Sequence, residues 1–280
     1  MEKFSVAMSV YKNDNAEYFK RSLQSITDEQ TLKPNEIVLI ENGPVSQSID
    51  AVAKEFSNKY DFIKVIKKPV NEGLGAALKL ATENCLYPYI ARMDSDDVSL
   101  PDRFMKQMTF MTEHPEVDFL GGDITEFSGN EDNIVSIRSL PRLDADIKKF
   151  MKKRCGLNHP TVMMKKSALF AAGGYGDPFN KEDWCLWVRA MKNGAVFENL
   201  DSVLVNFRAD NVFQRRGGYA YYKSEKGLYK YMLKNRIIGF PRYVLNCTER
   251  FMIHVVFPNK LRALIYKKFA RRNADGVRNK

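Results

Sequence analysis

Short apolar runs alternate with segments of helical periodicity over the first 125 residues, and this alternation restricts the folds open to the chain. The intervals between the runs carry apolar side chains every three or four residues, which is typical of helices packed on one face. Strands joined by such helices run parallel, and ligands bind beyond their carboxyl ends. Strands are predicted at residues 4–11, 36–42, 62–67, 89–94 and 117–123.

The pattern is less regular beyond residue 125. Residues 131–155 are polar and charged, residues 156–176 predict a turn with a short helix, and residues 182–194 predict a compact helix that ends at Asn193-Gly194. The sequence becomes basic and aromatic from about residue 211, where we place a boundary.

The charge of the chain is concentrated at its C-terminal end. The 280 residues carry 44 Lys and Arg against 34 Asp and Glu, and residues 231–280 hold twelve of the bases but only two of the acids. The rest of the chain is neutral, so we expect no nucleic-acid partner. From residue 236 the bases are interleaved with apolar side chains, which predicts an amphipathic surface on anionic lipid. A helical cap packed on the preceding domain is the alternative.

Neither a secretory signal nor an apolar stretch of membrane-spanning length is visible, so a cytoplasmic protein is expected. The four cysteines lie 70, 30 and 62 residues apart, which fits neither a zinc site nor a dense disulfide framework. Reduced thiols are therefore predicted.

An acidic turn follows the fourth predicted strand, where Arg92 precedes Asp94, Asp96 and Asp97. Three carboxylates so close together repel one another unless a cation is present. Mg²⁺ or Mn²⁺ takes one or two carboxylates and completes its shell with phosphate oxygens and water. An Asx-rich turn capping the helix near Pro101 is the alternative, but the position at a strand end favours a metal.

Other polar motifs also have two readings. Asn71 and Gly73 open the third helix, either as a close approach to a ligand or as a tight turn. Glu182-Asp183 begins a helix, where acids also complement the helix dipole. His159 either binds a ligand or is packed and hydrogen-bonded. Arg215-Arg216 either pairs with phosphates or forms an exposed basic loop.

Taken in order and at their spacing, these motifs resemble glycosyltransferase family 2, the inverting nucleotide-sugar transferases with a GT-A fold. The resemblance covers roughly residues 1–210 and rests on SVY (9–11), EIVLIENGP (36–44), NEGLGAALKLA (71–81), ARMDSDDVSLPDRF (92–104), NHPTVMMKKSALFAAGGYG (158–176) and EDWCLWVRA (182–190). With VNFR (205–208) and QRRGG (214–218), it is similar to bacterial enzymes of O-antigen, capsule or exopolysaccharide synthesis.

The resemblance implies an α/β fold of GT-A type, a mainly parallel sheet flanked by helices with a C-terminal helical basic extension. Residues 1–210 would be the catalytic domain, with a nucleotide-sugar half over about 1–125 and an acceptor half over about 126–210. Residues 211–280 would form the helical, basic amphipathic region.

By resemblance, Tyr11 stacks on uracil, Asn42 contacts the base, Asp94 binds the ribose hydroxyls and Asp96 is the preferred metal ligand. The family usually has an acidic residue at the position of Asn42, whose amide oxygen can still accept from uracil N3–H. The implied nucleotide-sugar-binding residues are Ser9, Tyr11, Glu41, Asn42, Asn71, Gly73, Arg92, Asp94, Ser95 and Asp96, and the implied metal ligands are Asp96 and Asp97.

The catalytic base implied by the family is Asp183, which follows Glu182. Residues assigned to the acceptor or the diphosphate are His159, Gly174, Tyr175, Trp184, Arg215 and Arg216. Processive members carry a QxxRW signature, which Gln214–Gly218 does not match, so one sugar per encounter is expected.

The function implied is transfer of one hexose, glucose or galactose, from a UDP-sugar to a polyprenyl-diphosphate-linked glycan, with Mn²⁺ or Mg²⁺ as cofactor. The enzyme would lie on the anionic inner face of the cytoplasmic membrane. A nucleotidyltransferase is one alternative, although the Gly-rich basic loop expected after its first strand is missing from SVYKNDNAEYF. A non-enzymatic module that binds membrane or nucleic acid through the basic tail is the other.

Overall fold

The predicted strands and helices of the N-terminal half are present in the computed structural model, which describes residues 2–176, 181–210 and 217–258. The strands are Phe4–Val10 (β1), Glu36–Glu41 (β2), Ile63–Lys67 (β3) and Tyr89–Met93 (β4), and the helices between them are Ala16–Ile26 (α1), Gln47–Lys59 (α2) and Leu74–Asn84 (α3). All four strands run parallel in the order β3-β2-β1-β4. The prediction of a parallel α/β arrangement is confirmed here.

Polar side chains fix where these helices begin. Asn15 accepts hydrogen bonds from the N–H groups of Glu17 and Tyr18 at the start of α1, and Ser46 accepts from Ile49 N at the start of α2. Each cap satisfies backbone donors that have no partner within the first turn of a helix. The caps therefore set the lengths of the loops that follow β1 and β2.

The second half completes a mixed sheet. Its strands are Val98–Ser99 (β5), Phe119–Phe127 (β6), Ile134–Arg138 (β7), Met163–Lys165 (β8) and Phe197–Arg208 (β9), and its helices are Arg103–Glu113 (α4), Asp144–Met151 (α5), Lys166–Ala171 (α6) and Glu182–Lys192 (α7), with a 3-10 turn at His159–Thr161. Within the described residues nine strands form one sheet in the order β3-β2-β1-β4-β8-β6-β9-β5, and β7 pairs with β6. The short β8 is antiparallel to both β4 and β6.

The long strand β9 was not predicted, and its place in the sheet depends on two glycines. β9 runs parallel to β6, with shifts in register on either side of Asp123. A Cβ added to Gly122 would lie 2.5 Å from Leu204 Cδ1, and one added to Gly121 would lie 2.3 Å from Asn199 Oδ1. The strands approach so closely that side chains do not fit between them. This pairing carries the end of β9 towards the acidic turn after β4.

Helices cover both faces of the sheet. Phe19, Leu23 and Ile26 of α1 belong to one buried cluster with side chains of α2 and α4. Leu78 of α3 and Trp187 of α7 belong to the other cluster, with side chains of α5 and α6. Burial on both sides explains why the central strands read as nearly continuous apolar runs.

Two further helices follow, Tyr219–Lys234 (α8) and Phe240–Phe251 (α9), and a π-helical turn at Met252–Val256 extends α9. Trp184 and Val188 of α7 share a buried cluster with Leu228 and Tyr229 of α8. No helix in residues 2–176, 181–210 and 217–258 is both long and apolar enough to cross a bilayer. The four cysteines form no disulfide within the described residues, in line with the predicted reduced thiols.

Candidate active site

The loops after β1 and β4 are joined by one carboxylate. Asp14 Oδ2 accepts a hydrogen bond of 3.1 Å from Tyr11 N and one of 2.8 Å from Ser95 Oγ. Tyr11 is 36% exposed, so its ring is accessible to a ligand at the strand ends. Ser9, the last polar side chain of β1, is half-buried. The structure thus brings together the predicted residues of the first and fourth strands.

A second pair of loops meets beside them, after β2 and before α3. Asn42 Nδ2 donates to Asn71 Oδ1 at 3.0 Å and to the carbonyl of Gly73 at 3.1 Å. Gly43 has φ +85°, and a Cβ there would lie 2.7 Å from Asn71 N, so only glycine permits this approach. Asn42 Oδ1 accepts from Glu72 N at 3.4 Å. The amide that replaces the usual family carboxylate therefore ties the two loops together.

Glu41 is a buried acid beside this junction. Its Oε2 lies 3.2 Å from Lys67 Nζ, whereas its Oε1 is buried without a hydrogen-bond partner. An unsatisfied buried carboxylate oxygen carries a desolvation cost that a bound donor can relieve. Its position suits the predicted contact with a nucleotide.

Buried Arg92 forms an ion pair with partly exposed Asp94 at the end of β4. Both terminal nitrogens of Arg92 contact the carboxylate of Asp94. Burial opposes the charge of Arg92, but Asp94 outweighs this effect and the pKa of Arg92 is raised. Arg103, fully buried, donates to the carbonyl of Arg92 at 2.7 Å. Burial and the nearby Arg92 lower the pKa of Arg103 to about 9.

Asp97 points away from solvent towards β9. Its Oδ1 accepts from Arg208 N at 2.9 Å, and its Oδ2 is buried without a hydrogen-bond partner. Burial raises the pKa of Asp97 well above its usual value, and Asp94 and Asp96 add to the rise. Asp96 is half-buried, and its carbonyl accepts from Arg208 Nε at 3.1 Å. No role was predicted for Arg208 from the sequence. Its place at the end of the VNFR motif was the one feature that could have indicated a role in the site.

These acids fit a hard divalent cation that arrives with a phosphate ligand. Among the described residues, no three His, Cys, Asp or Glu side chains converge closely enough to hold a metal by themselves. Mg²⁺ and Mn²⁺ accept one or two carboxylates and take their other ligands from substrate phosphates and water. Asp96 is the more accessible of the two predicted ligands, because one oxygen of Asp97 is already bound to β9.

The acids of α7 and the charged pair at the end of β4 both influence the pKa of one buried tyrosine, Tyr175. Burial raises the pKa of the Tyr175 phenol, and Arg92 counteracts the rise. Asp183, Glu182 and Asp94 also raise it. Both the Arg92–Asp94 pair and the α7 acids therefore lie within electrostatic range of Tyr175. These two motifs are almost 90 residues apart in the sequence.

Asp183 begins α7 with one oxygen close to a thiol. Its Oδ1 accepts from Trp184 N at 2.6 Å, and its Oδ2 lies 3.7 Å from Cys155 Sγ. Burial raises the pKa of Cys155 well above its usual value, and Asp183 adds to that effect. The neighbouring thiol therefore stays protonated and donates weakly to the carboxylate.

The residues predicted to face the acceptor have different surroundings. His159 is buried, and its Nε2 lies 2.9 Å from Tyr175 Oη. Burial and Arg92 lower the pKa of His159 well below its usual value, so it is neutral. Gly174 has φ +67° in the turn before Tyr175, as predicted. Arg215 and Arg216 lie outside the described residues.

Trp184 packs on the C-terminal helices, in contrast to its predicted place beside the acceptor. It is 3% exposed, and its Nε1 donates to Met151 O at 3.0 Å. Its ring meets Tyr229 edge to face at a centroid distance of 5.6 Å. These contacts make Trp184 the link between α7 and α8.

The sequence of the chain is similar to those of known glycosyltransferases. Residues 5–171 match the model of the family described as "Glycosyl transferase family 2". The chain is 36% identical over 266 residues to the amylovoran biosynthesis glycosyltransferase AmsE of Erwinia amylovora, covering 95% of this chain and 98% of that protein. It is 33% identical over 271 residues to the UDP-Gal:alpha-D-GlcNAc-diphosphoundecaprenol beta-1,3-galactosyltransferase of Escherichia coli, covering 96% of this chain and 97% of the relative.

Solved structures show the same fold at low identity. S. aureus TarS 1-349 in complex with UDP-GlcNAc has a TM-score of 0.63 and 18% identity, and the match covers 89% of this chain and 72% of that chain. The mannosyltransferase PcManGT from Pyrobaculum calidifontis, in complex with GDP-Man and Mn²⁺, has a TM-score of 0.59 and 13% identity over 93% of this chain and 72% of that chain. The predicted GT-A-like fold, with a mixed sheet between helices, is confirmed.

Proposed function

The chain belongs to glycosyl transferase family 2 and is therefore an inverting glycosyltransferase, and from this premise we propose that it moves one hexose from a UDP-sugar to a lipid-diphosphate-linked glycan. It is related to bacterial glycosyltransferases of polysaccharide synthesis and to a lipid-linked galactosyltransferase. That second relative supports galactose as the sugar, with glucose as the alternative. Bacterial surface polysaccharide, such as O-antigen or capsule, is the proposed product.

One observation carries the proposal: the charged groups at the end of β4 and the acids that open α7 both influence the pKa of one buried tyrosine, Tyr175. Inversion requires the acceptor hydroxyl to attack the anomeric carbon from the face opposite the leaving diphosphate. Two separate groups are therefore needed, one for the acceptor proton and one for the donor. The two motifs that influence Tyr175 would supply these groups.

We assign the donor to the strand-end loops. Tyr11 would stack on the uracil, and the joined loops of Asn42 and Asn71 would form the wall beside the base. Asp94, held by Arg92, would accept the ribose hydroxyls. Ser9, Glu41, Gly73 and Ser95 complete the proposed donor site. Asn42 already donates to Asn71 and Gly73, and its amide oxygen accepts only a long bond of 3.4 Å from Glu72 N, so this oxygen would accept from uracil N3–H with its other lone pair.

We assign proton transfer to Asp183. Its carboxylate would take the proton of the acceptor hydroxyl while the acceptor oxygen forms a bond to the anomeric carbon. The bond from that carbon to the diphosphate breaks, and UDP leaves with the bonding electrons. Glu182 would increase the negative potential beside Asp183 and so favour its role as a base.

Asp96 would hold a divalent cation, with Asp97 behind it. Mn²⁺ or Mg²⁺ would neutralise negative charge that develops on the leaving diphosphate. Arg208 positions both acids, since it contacts the Asp96 carbonyl and the Asp97 carboxylate. His159 and Tyr175 would shape the space between donor and acceptor as a neutral hydrogen-bonded pair.

The acceptor places the reaction at a membrane. The name of the Escherichia coli relative specifies a diphosphoundecaprenol acceptor, which supports a polyprenyl-diphosphate-linked glycan here. We propose that the enzyme works on the inner face of the cytoplasmic membrane, where it meets nucleotide sugars. The absence of the processive QxxRW signature supports transfer of one sugar per encounter.

A donor titration tests the proposal. UDP binding is measured by calorimetry with and without Mn²⁺, and transfer is measured with a panel of UDP-sugars and a GlcNAc-diphospho-lipid acceptor. Asp96→Ala should lower metal-dependent transfer by roughly a hundredfold or more while the fold is retained. Asp102→Ala is the matched control, because Asp102 pairs with Lys106 on the surface. The metal assignment would be contradicted if UDP affinity did not depend on Mn²⁺, or if Asp96→Ala had normal activity.

A further inference from the structure

Helix α9 buries polar side chains and exposes apolar ones, the reverse of an ordinary surface helix. Its buried residues are Asn246, Cys247 and Arg250, and the π-helical turn that follows buries His254. Surface helices of globular proteins normally bury their apolar side. Arg242 and Thr248 are exposed, but most of the large exposed side chains of α9 and the turn are apolar: Phe240, Val244, Leu245, Phe251, Met252, Val255 and Val256. We call these seven residues the apolar face.

The protein fixes this orientation from the polar side. Asn246 Nδ2 donates to Lys152 O at 2.9 Å, beside the end of α5. Glu225 of α8 is buried between Arg250, at 3.4 Å, and His254, at 3.1 Å. Breaking a buried charge network of this kind is costly, so α9 cannot rotate to hide its apolar side. The exposure of the apolar face is therefore built into the fold.

A row of lysines borders the apolar face. Lys223, Lys226, Lys230 and Lys234 are exposed at helical spacing along α8. Lys226 Nζ lies 5.8 Å from the centre of the Tyr222 ring, and that ring meets Phe251 edge to face at 5.3 Å. We call these four residues the lysine row. Apolar and basic side chains thus lie side by side on one surface.

We propose that the apolar face and the lysine row together dock on an anionic lipid bilayer. Apolar side chains enter the boundary between headgroups and acyl chains, while adjacent bases attract the anionic headgroups. The sequence beyond the described residues adds to this charge, because residues 259–280 contain eight Lys and Arg and one acid. If two chains paired symmetrically through the apolar face, the lysine row of one subunit would lie near that of the other. The repulsion between these charges disfavours a second chain as the partner that covers the apolar face.

Docking through this surface would serve the lipid-linked acceptor, and in that respect the inference rests on the proposed function. Trp184 follows Asp183 directly and packs on Tyr229 of α8. Tyr229 Oη in turn donates to Lys153 O at 2.9 Å and lies 3.2 Å from Arg250 Nε. The proposed base and the lipid surface are therefore linked by a short series of buried contacts.

Vesicle sedimentation tests the inference without donor or acceptor, so its failure would leave glycosyl transfer untouched. The full chain is mixed with phosphatidylcholine vesicles that contain or lack phosphatidylglycerol. Val244→Gln/Leu245→Gln should lower the partition coefficient on anionic vesicles by about tenfold or more. The matched control is Leu86→Gln/Val135→Gln, because these side chains are exposed to a similar extent, at 74% and 47%, outside the surface. The control should bind as the parent does.

A second pair of substitutions tests the lysine row. Lys226→Gln/Lys230→Gln should weaken binding to anionic vesicles and reduce its dependence on salt, since fewer charges are screened. Equal binding by the parent and the Val244→Gln/Leu245→Gln variant would overturn the inference. So would a dimer that dissociates in that variant with vesicle binding unchanged, because a second copy would then cover the apolar face. A lowered Tm with unchanged vesicle binding would assign the face to another part of this chain.

Discussion

The backbone N–H of Arg208 donates to Asp97 Oδ1 across 2.9 Å, so the end of β9 holds the acidic turn that follows β4. The guanidinium of Arg208 lies 3.5 Å from the centre of the Tyr18 ring and 4.5 Å from that of Phe127. These contacts fix Arg208, and through it the turn. The distant strand thereby determines where the candidate metal ligands lie.

Two substitutions of Asp97 should distinguish the contribution of its hydrogen bond with Arg208 N to stability from the contribution of its charge. Asp97→Ala leaves Arg208 N buried without an acceptor and should lower the free energy of unfolding by about 1–3 kcal/mol. Asp97→Asn keeps an oxygen for that N–H and should cost less. Urea denaturation measures both. If alanine and asparagine were equally damaging, the hydrogen bond to β9 would not be the reason.

The buried Glu225 should make stability depend on pH. Burial alone would raise the pKa of Glu225, but Arg250 and His254 outweigh it and the pKa falls below the usual 4.5. A lowered pKa in the folded state contributes stability above pH 4.5, which is lost as the pH falls through the folded value. Glu225→Gln should therefore cost about 3–5 kcal/mol at pH 7 and progressively less below pH 4.5.

The control for Glu225 lies on α9. Glu249 pairs with Lys153 at 3.1 Å in a partly exposed position, so Glu249→Gln should change stability by about 1 kcal/mol at most. Urea denaturation of both variants at several pH values provides the comparison. An effect of Glu225→Gln that grows in acid, or that equals the effect of Glu249→Gln, would argue against the buried network.

The two tryptophans of α7 should respond differently to the same change. Trp184 Nε1 donates to Met151 O, whereas Trp187 Nε1 is buried without a hydrogen-bond partner. Both substitutions to Phe remove similar volume, but Trp184→Phe also orphans the Met151 carbonyl. Trp184→Phe should therefore destabilise the protein by about 1 kcal/mol more than Trp187→Phe. Denaturation curves that ranked them the other way would contradict this reading.

Asn42→Asp should weaken donor binding even though the family usually has an acid there. A carboxylate cannot donate to Asn71 Oδ1 or to Gly73 O, so the two loops would separate. KM for the UDP-sugar should rise by about tenfold. Asn84→Asp, at the far end of α3, is the control and should leave KM unchanged. A lower KM for Asn42→Asp would show that the missing charge matters more than the loop contact.

The strands and helices of the N-terminal half were predicted well from the sequence, because the patterns that indicate them are local. Each of β1 to β4 is an apolar run bounded by helix starts, and its observed ends lie within one residue of the predicted ones. β9 was missed because polar residues interrupt its alternation and its partner β6 lies more than 70 residues earlier. The contact of Arg208 with Asp97 depends on that pairing and could not be inferred before it.

Periodicity shows which side chains share a face of a helix, but it does not show which face is buried. The spacing in α9 separates apolar from polar side chains, yet contacts with other elements, such as those of Glu225 in α8, make the polar side the buried one. Trp184 is a second example, since its helix was predicted but its partner Tyr229 lies in α8. The predicted roles of Arg215, Arg216 and residues 259–280 remain predictions, because they lie outside the described residues.

Steady-state transfer by Asp183→Asn, measured together with UDP-sugar binding, tests the central assignment most directly. The amide keeps the shape of the side chain but cannot take a proton, so kcat should fall by about 10²–10⁴-fold while the Kd for the donor is unchanged. Asp201→Asn, at an acid that is 88% exposed, should retain full activity. A variant of Asp183 that turns over normally, or one that loses donor affinity instead of kcat, would contradict its role as the base.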